Sequence, residues 1–269
     1  MVPRHSNQRC NHQAEQGGGV TGVVQNLTTH KTAIRANRVA VFFAISGTIA
    51  TFAALTTKNN AMMREVNPHD TPRGRQFEIW KNAPNPMLTF VKNVDVTPLL
   101  KISKKKHLKF NMLLCYCIGM AATEQKEFYL LPVGDKLMQF DKIAINTQVM
   151  NHTGEVSSCD IEFGGDFESY RNDYMTHTTE VARTCIDRDL SEECMVIGTS
   201  AIIDTELEFG GGMYSGIFNN PFIIWGRYSR HLFRYRLNIS FQFHHTQMDG
   251  AHAARFLERL QREINNFKA

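Results

Sequence analysis

The sequence offers little that points to a metal or to nucleic acid. Its six cysteines include no C-x-x-C pair, which excludes the common zinc-ribbon and thioredoxin-like patterns. No long basic block dominates. Lys104-Lys105-Lys106 is short and reads as a solvated face. With 30 Lys+Arg against 26 Asp+Glu, the net charge of +4 singles out no charged partner. No internal repeat is visible. An apolar stretch from Val39 to Leu55 is diluted by Ser46, Gly47, Thr48 and Thr51, so it makes a poor membrane span.

What is present suits a globular protein. The 269 residues are 42% hydrophobic and 10% aromatic, enough for one large domain or two small ones with a real core. Cys115 and Cys117 lie in an apolar run and read as buried thiols packing as small hydrophobes. That usage fits a reducing compartment, and the cytoplasm is the expected location.

Residues 1–62 differ from the rest. They are rich in Gln, Asn, Thr, His and Gly, with Gly17-Gly18-Gly19 in the middle. A disordered extension or a mis-assigned start, with translation beginning at Met62 or Met63, is the favoured reading. The competing one is a membrane anchor or signal core at Val39 to Leu55. Residues 63–269 are expected to form the folded domain.

Within that domain, Phe77 and Trp80 suit a short amphipathic helix from Arg73 to Lys81, ended by Pro84 and Pro86. Met87 to Val96 reads as a strand, and Pro98 opens a helix to about Lys105. Phe110 to Thr123 reads as a buried helix. Strands are expected at Glu127 to Val133, Lys136 to Phe140 and Ile143 to Val149, with Gly134-Asp135 as a tight turn. Phe167 to Arg183 reads as a polar helix. Met195 to Ile203, Glu206 to Phe209 and Phe222 to Tyr228 read as strands. Arg236 to Phe243 alternates clearly, with Leu237, Ile239, Phe241 and Phe243 on one side. Asp249 to Phe267 is strongly amphipathic. The class is α/β (α+β), with a central sheet.

The segment Phe243-His244-His245-Thr246-Gln247-Met248-Asp249-Gly250 joins the clearest strand to the clearest helix. From the residues alone, three readings stay open. The histidines are ordinary turn residues with Asp249 as a helix cap; or His245 and Asp249 bind a metal, for which no third ligand stands at a recognisable spacing. In the last, one imidazole acts as a general base on a hydroxyl.

His-His-x-x-x-Asp-Gly before an amphipathic helix resembles the motif of chloramphenicol acetyltransferases, within the coenzyme-A-dependent acyltransferase superfamily. The segments Arg73 to Phe110 and Pro221 to Gly250 are similar to that family in spacing, including Phe77-Glu78, Val94-Asp95-Val96 and Lys109-Phe110. The resemblance runs from Met63 to the end, strong at both ends and weak in the middle. It implies a two-layer sandwich with a central mixed sheet covered by helices. It also implies transfer of an acetyl group from acetyl-CoA to a hydroxyl acceptor, with no metal and no acyl-enzyme.

By the same resemblance, His245 is the catalytic base and Ser200 the oxyanion donor. Asp249 and Arg73 pair to brace the turn. Tyr228 stacks on adenine, Arg227 and Lys109 meet the 3′-phosphate of coenzyme A, and Trp80 lines the acceptor pocket. The assembly implied is a homotrimer with sites between subunits, and nucleic acid and membrane are not expected partners. Two departures bear on the acceptor. Ile224 stands where the family has a threonine, and Ile79-Trp80 replace family aromatics. The acceptor is chloramphenicol, with antibiotic resistance as the role, or a related hydroxyl compound. The alternative is a degenerate member serving as a coenzyme-A-binding or structural subunit.

Overall fold

A computed structural model describes residues 63–212 and 216–268. The extension expected at residues 1–62, with its apolar stretch, lies outside them. Along the described chain come β1 (Met63–Val66), α1 (Gly74–Trp80), β2 (Met87–Asp95), α2 (Thr97–Lys106) and α3 (Phe110–Thr123). They are followed by β3 (Leu130–Val133), β4 (Lys136–Phe140), β5 (Ile143–Met150), β6 (Val156–Glu162) and α4 (Phe167–Thr184). The last elements are β7 (Met195–Ile202), β8 (Phe222–Gly226), β9 (Ser229–His231), β10 (Arg234–His244) and α5 (Gly250–Asn266).

The main sheet runs β2-β10-β8-β7-β5-β6, with β9 pairing beside β10. It is mixed: β7 lies parallel to β5 and β8, whereas β10 is antiparallel to β2 and β8. A smaller antiparallel sheet, β1-β4-β3, stands apart from it. Strict alternation places β10. Leu237, Ile239, Phe241 and Phe243 are buried, because successive strand residues face opposite sides of a sheet. Phe256, Leu257 and Leu260 of α5 join the same core as these strand residues. The amphipathic stripe read from the sequence is thus the face that α5 buries. The arrangement is the two-layer sandwich expected, with a central mixed sheet covered by helices.

Three local expectations need correction. The strand expected at Glu127 to Val133 begins only at Leu130, and its first part belongs to a 3-10 turn, Lys126–Tyr129. Phe128 anchors it in the core between Phe241 and Phe256, at ring distances of 6.0 and 4.9 Å. Residues Glu206 to Phe209 form no strand. That segment crosses the outer face of β8 and β10 as a strap held by side chains: Asn238 Nδ2 donates to Leu207 O (3.0 Å) and Gly210 N to Ser240 Oγ (2.9 Å). Side-chain partners replace the ladder that a strand would need. A Cβ on Gly226 would lie 2.6 Å from Leu207 N, so the strap requires glycine there. Finally, β6 escaped the reading. It carries Ser157, Ser158 and Asp160 among its buried residues, and polar buried residues break the apolar pattern that marks a strand.

Candidate active site

The turn after β10 is built to hold one imidazole. His245 N donates to Pro86 O at 2.8 Å, tying the turn to the start of β2. Gln247 N and Met248 N both donate to His244 O, at 2.9 and 3.1 Å, which closes the turn. Asp249 then caps α5, its Oδ1 accepting from Ala251 N (3.0 Å) and His252 N (3.3 Å). Such caps contribute about 1 kcal/mol.

The two histidines have opposite environments. His244 is 1% exposed. Its Nδ1 accepts from Thr246 N (3.2 Å), and Thr246 Oγ1 lies 2.7 Å away. Burial, with the neighbouring His245, pulls its pKa down to about 4, so it is neutral and structural at pH 7. His245 is half-buried. Its Nδ1 lies 3.1 Å from Met248 O. A carbonyl oxygen can only accept, so Nδ1 carries the proton and Nε2 keeps its lone pair. Trp80 lies against the ring, centroids 4.3 Å apart and planes inclined by 22°.

Arg73 clamps this turn from beneath. It is 2% exposed and its guanidinium makes three bonds. Nη2 donates to His245 O (2.7 Å), Nε to Thr246 O (3.0 Å) and Nη1 to Asp249 Oδ2 (3.0 Å). The planar fork suits three fixed acceptors as a lysine would not. The network extends further: His252 Nδ1 lies 2.7 Å from Asp249 Oδ1 and its Nε2 3.0 Å from Glu127 Oε1. Burial would raise the Asp249 carboxyl, but the hydrogen bonds from His252 and Arg73 and the His252 charge outweigh it. They hold the pKa at about 2.

A separate groove of about 530 Å3 opens at the start of α3. It brings Lys109, Arg227 and Tyr228 together, with Phe110, Tyr174 and Trp225 also in its lining. Tyr228 is held edge-on by Phe110 (5.4 Å) and Tyr235 (5.7 Å). Lys109 and Arg227 are exposed at its rim.

Ser200 does not meet His245 within one chain. Cross-strand register aligns Ser200 with Ile224, and Ile224 with Ser240. His245 lies beyond Ser240, past the end of β10. At about 3.4 Å per residue this is roughly 17 Å along the sheet.

A family model described as chloramphenicol acetyltransferase matches residues 63–261. The chain belongs to the chloramphenicol acetyltransferase family. A chloramphenicol acetyltransferase of Clostridium butyricum is 25% identical over 197 residues, covering 71% of this chain and 90% of that protein. One from Clostridium perfringens is 25% identical over 211 residues, covering 76% and 95%. A solved chloramphenicol acetyltransferase superposes with a TM-score of 0.67 at 18% identity, covering 76% of this chain and all of the other. The dihydrolipoamide acetyltransferase of Azotobacter vinelandii gives 0.55 at 17% identity, covering 78% and 92%. The fold is therefore the coenzyme-A-dependent acyltransferase fold, and this is an acyltransferase-family chain.

Sequence reasoning missed His252, Glu127 and Trp225. His252 had a signal: it stands at the third position of α5 after the capping Asp249, where a side chain reaches back to the cap. Glu127 had none, since its contact is long-range. Among the described residues no group of His, Cys, Asp and Glu is arranged to hold a metal, and no helix is long and apolar enough to cross a membrane.

Proposed function

We propose that this protein transfers an acetyl group from acetyl-CoA to the hydroxyl of a small molecule, with His245 as general base. The observation that carries the reading is the His245 Nδ1 contact with Met248 O. It leaves Nε2 as the basic atom, on a ring oriented by Trp80 and on a backbone gripped by Arg73. His245 Nε2 takes the acceptor proton as the hydroxyl oxygen bonds to the thioester carbonyl carbon. The carbonyl becomes a tetrahedral oxyanion. When the C–S bond breaks, the departing thiolate takes the proton from Nε2 and the ester remains. No acyl-enzyme forms.

Lys109, Arg227 and Tyr228 would hold coenzyme A, the two cations at its 3′-phosphate and Tyr228 against adenine. Their common groove supports this. Ser200 would donate to the oxyanion. Its distance along the sheet from His245 supports an arrangement in which Ser200 of a second copy serves His245, as in a homotrimer with sites between subunits. The acceptor is chloramphenicol or a related hydroxyl compound, bound beside Trp80, in the cytoplasm. Ile224, which stands beside Ser200 and packs close to Gly210, differs from the threonine of the family pattern.

The test incubates the protein with acetyl-CoA and a panel of hydroxyl compounds including chloramphenicol, then weighs both acceptor and protein by mass spectrometry. An acetylated acceptor with unmodified protein is the expected result. An acetylated protein would contradict direct transfer. No acetylated acceptor at all would leave the degenerate binding subunit.

A further inference from the structure

We infer that the Trp225 indole N–H is a binding donor in the groove, directed at an amide carbonyl of the pantetheine arm of coenzyme A. This rests on the proposed use of that groove. Trp225 is 1% exposed and lines the groove with Lys109, Arg227 and Tyr228. Its Nε1 is buried and has no hydrogen-bond partner among the described residues. A buried donor left unmade is costly, and native folds seldom keep one without a use.

The chemistry narrows the ligand atom. An indole nitrogen can only donate, so the partner must be an acceptor. Tyr174 is the other deeply buried polar side chain in the lining. Phosphate oxygens are matched by the exposed cations Lys109 and Arg227 at the rim. A neutral donor on a residue that lines the groove together with Phe110 and Ile203 suits a neutral acceptor on a mostly apolar chain. The pantetheine arm offers this twice, in its two amide carbonyls. β8 fixes the indole: Trp225 pairs with Ala201 on one side and Ile239 on the other, so the donor is preorganised.

Trp225→Phe removes the N–H and keeps most of the ring volume. Calorimetry would compare wild type and variant with two probes, coenzyme A and adenosine 3′,5′-bisphosphate, its nucleotide part. The expected result is about 5- to 10-fold weaker coenzyme A binding, the worth of one hydrogen bond, with bisphosphate binding unchanged. A second readout uses 15N-tryptophan. With two tryptophans in the chain, coenzyme A should move the indole resonance that Trp225→Phe deletes. Equal coenzyme A affinity in both proteins, or an equal loss for both probes, overturns the inference while leaving the groove assignment intact. No binding of either probe by wild type overturns the groove assignment as well.

Discussion

Trp80 and His245 lie face to face, ring centroids 4.3 Å apart. The indole therefore fixes the plane of the imidazole, while the Met248 carbonyl fixes its rotation. Trp80→Ala should lower kcat about 10- to 100-fold, since small misplacements of a reacting group cost on that scale. Trp80→Phe should recover most of the loss. Steady-state kinetics on both variants checks this, and an unchanged kcat in the alanine variant would remove the orienting role.

Arg73 is the larger structural commitment. It is buried, and it serves two carbonyls and a carboxylate. Arg73→Ala leaves those acceptors without their donor and should cost about 3–5 kcal/mol of stability. Arg73→Lys, which cannot span all three, should fall between. Urea unfolding gives both values, and a loss under 1 kcal/mol for alanine would mean that the pair behaves as a surface one.

Acid stability carries two signatures. Asp249 is held at about 2 in the folded state, below the roughly 3.9 of an unfolded aspartate. Its contribution is present above pH ~4 and is lost as pH falls toward 2. His244 is also depressed, to about 4. The unfolded chain binds its proton first, so stability also declines as pH falls from ~6.5 to 4, by at most ~1.4 kcal/mol per unit. Denaturation across this range should show both slopes, with the lower one missing in Asp249→Asn.

Ser200 allows a test of assembly. Ser200→Ala should lower kcat about 100- to 1,000-fold, as the loss of an oxyanion donor does elsewhere. Mixing Ser200→Ala with His245→Ala subunits under exchange conditions should restore activity, because one interface then pairs an intact serine with an intact histidine. Mixtures as inactive as the parents would place both groups in one chain's site.

Much of this was legible in the sequence, for physical reasons. β10 and α5 announced themselves because each buries one face, and period-2 and period-3.6 patterns follow directly from that. His245 and Asp249 stood out as candidates because they share one turn, and Arg73 because it stands in a segment whose spacing is similar to the family's. The strand expected at Glu206 to Phe209 is instead part of the strap, since its apolar residues satisfy a strand pattern while Leu207 O and the neighbouring Gly210 N bond the side chains of Asn238 and Ser240. Glu127 was invisible because its link to His252 spans the chain. The separation of Ser200 from His245 depends on strand order, which no local pattern encodes.

The most direct measurement is thiol release from acetyl-CoA by wild type and His245→Ala, with chloramphenicol and other hydroxyl acceptors. The account predicts acceptor-dependent release by wild type, lost by several orders of magnitude in a variant that stays folded and still binds coenzyme A. Release that survives intact in His245→Ala would contradict it.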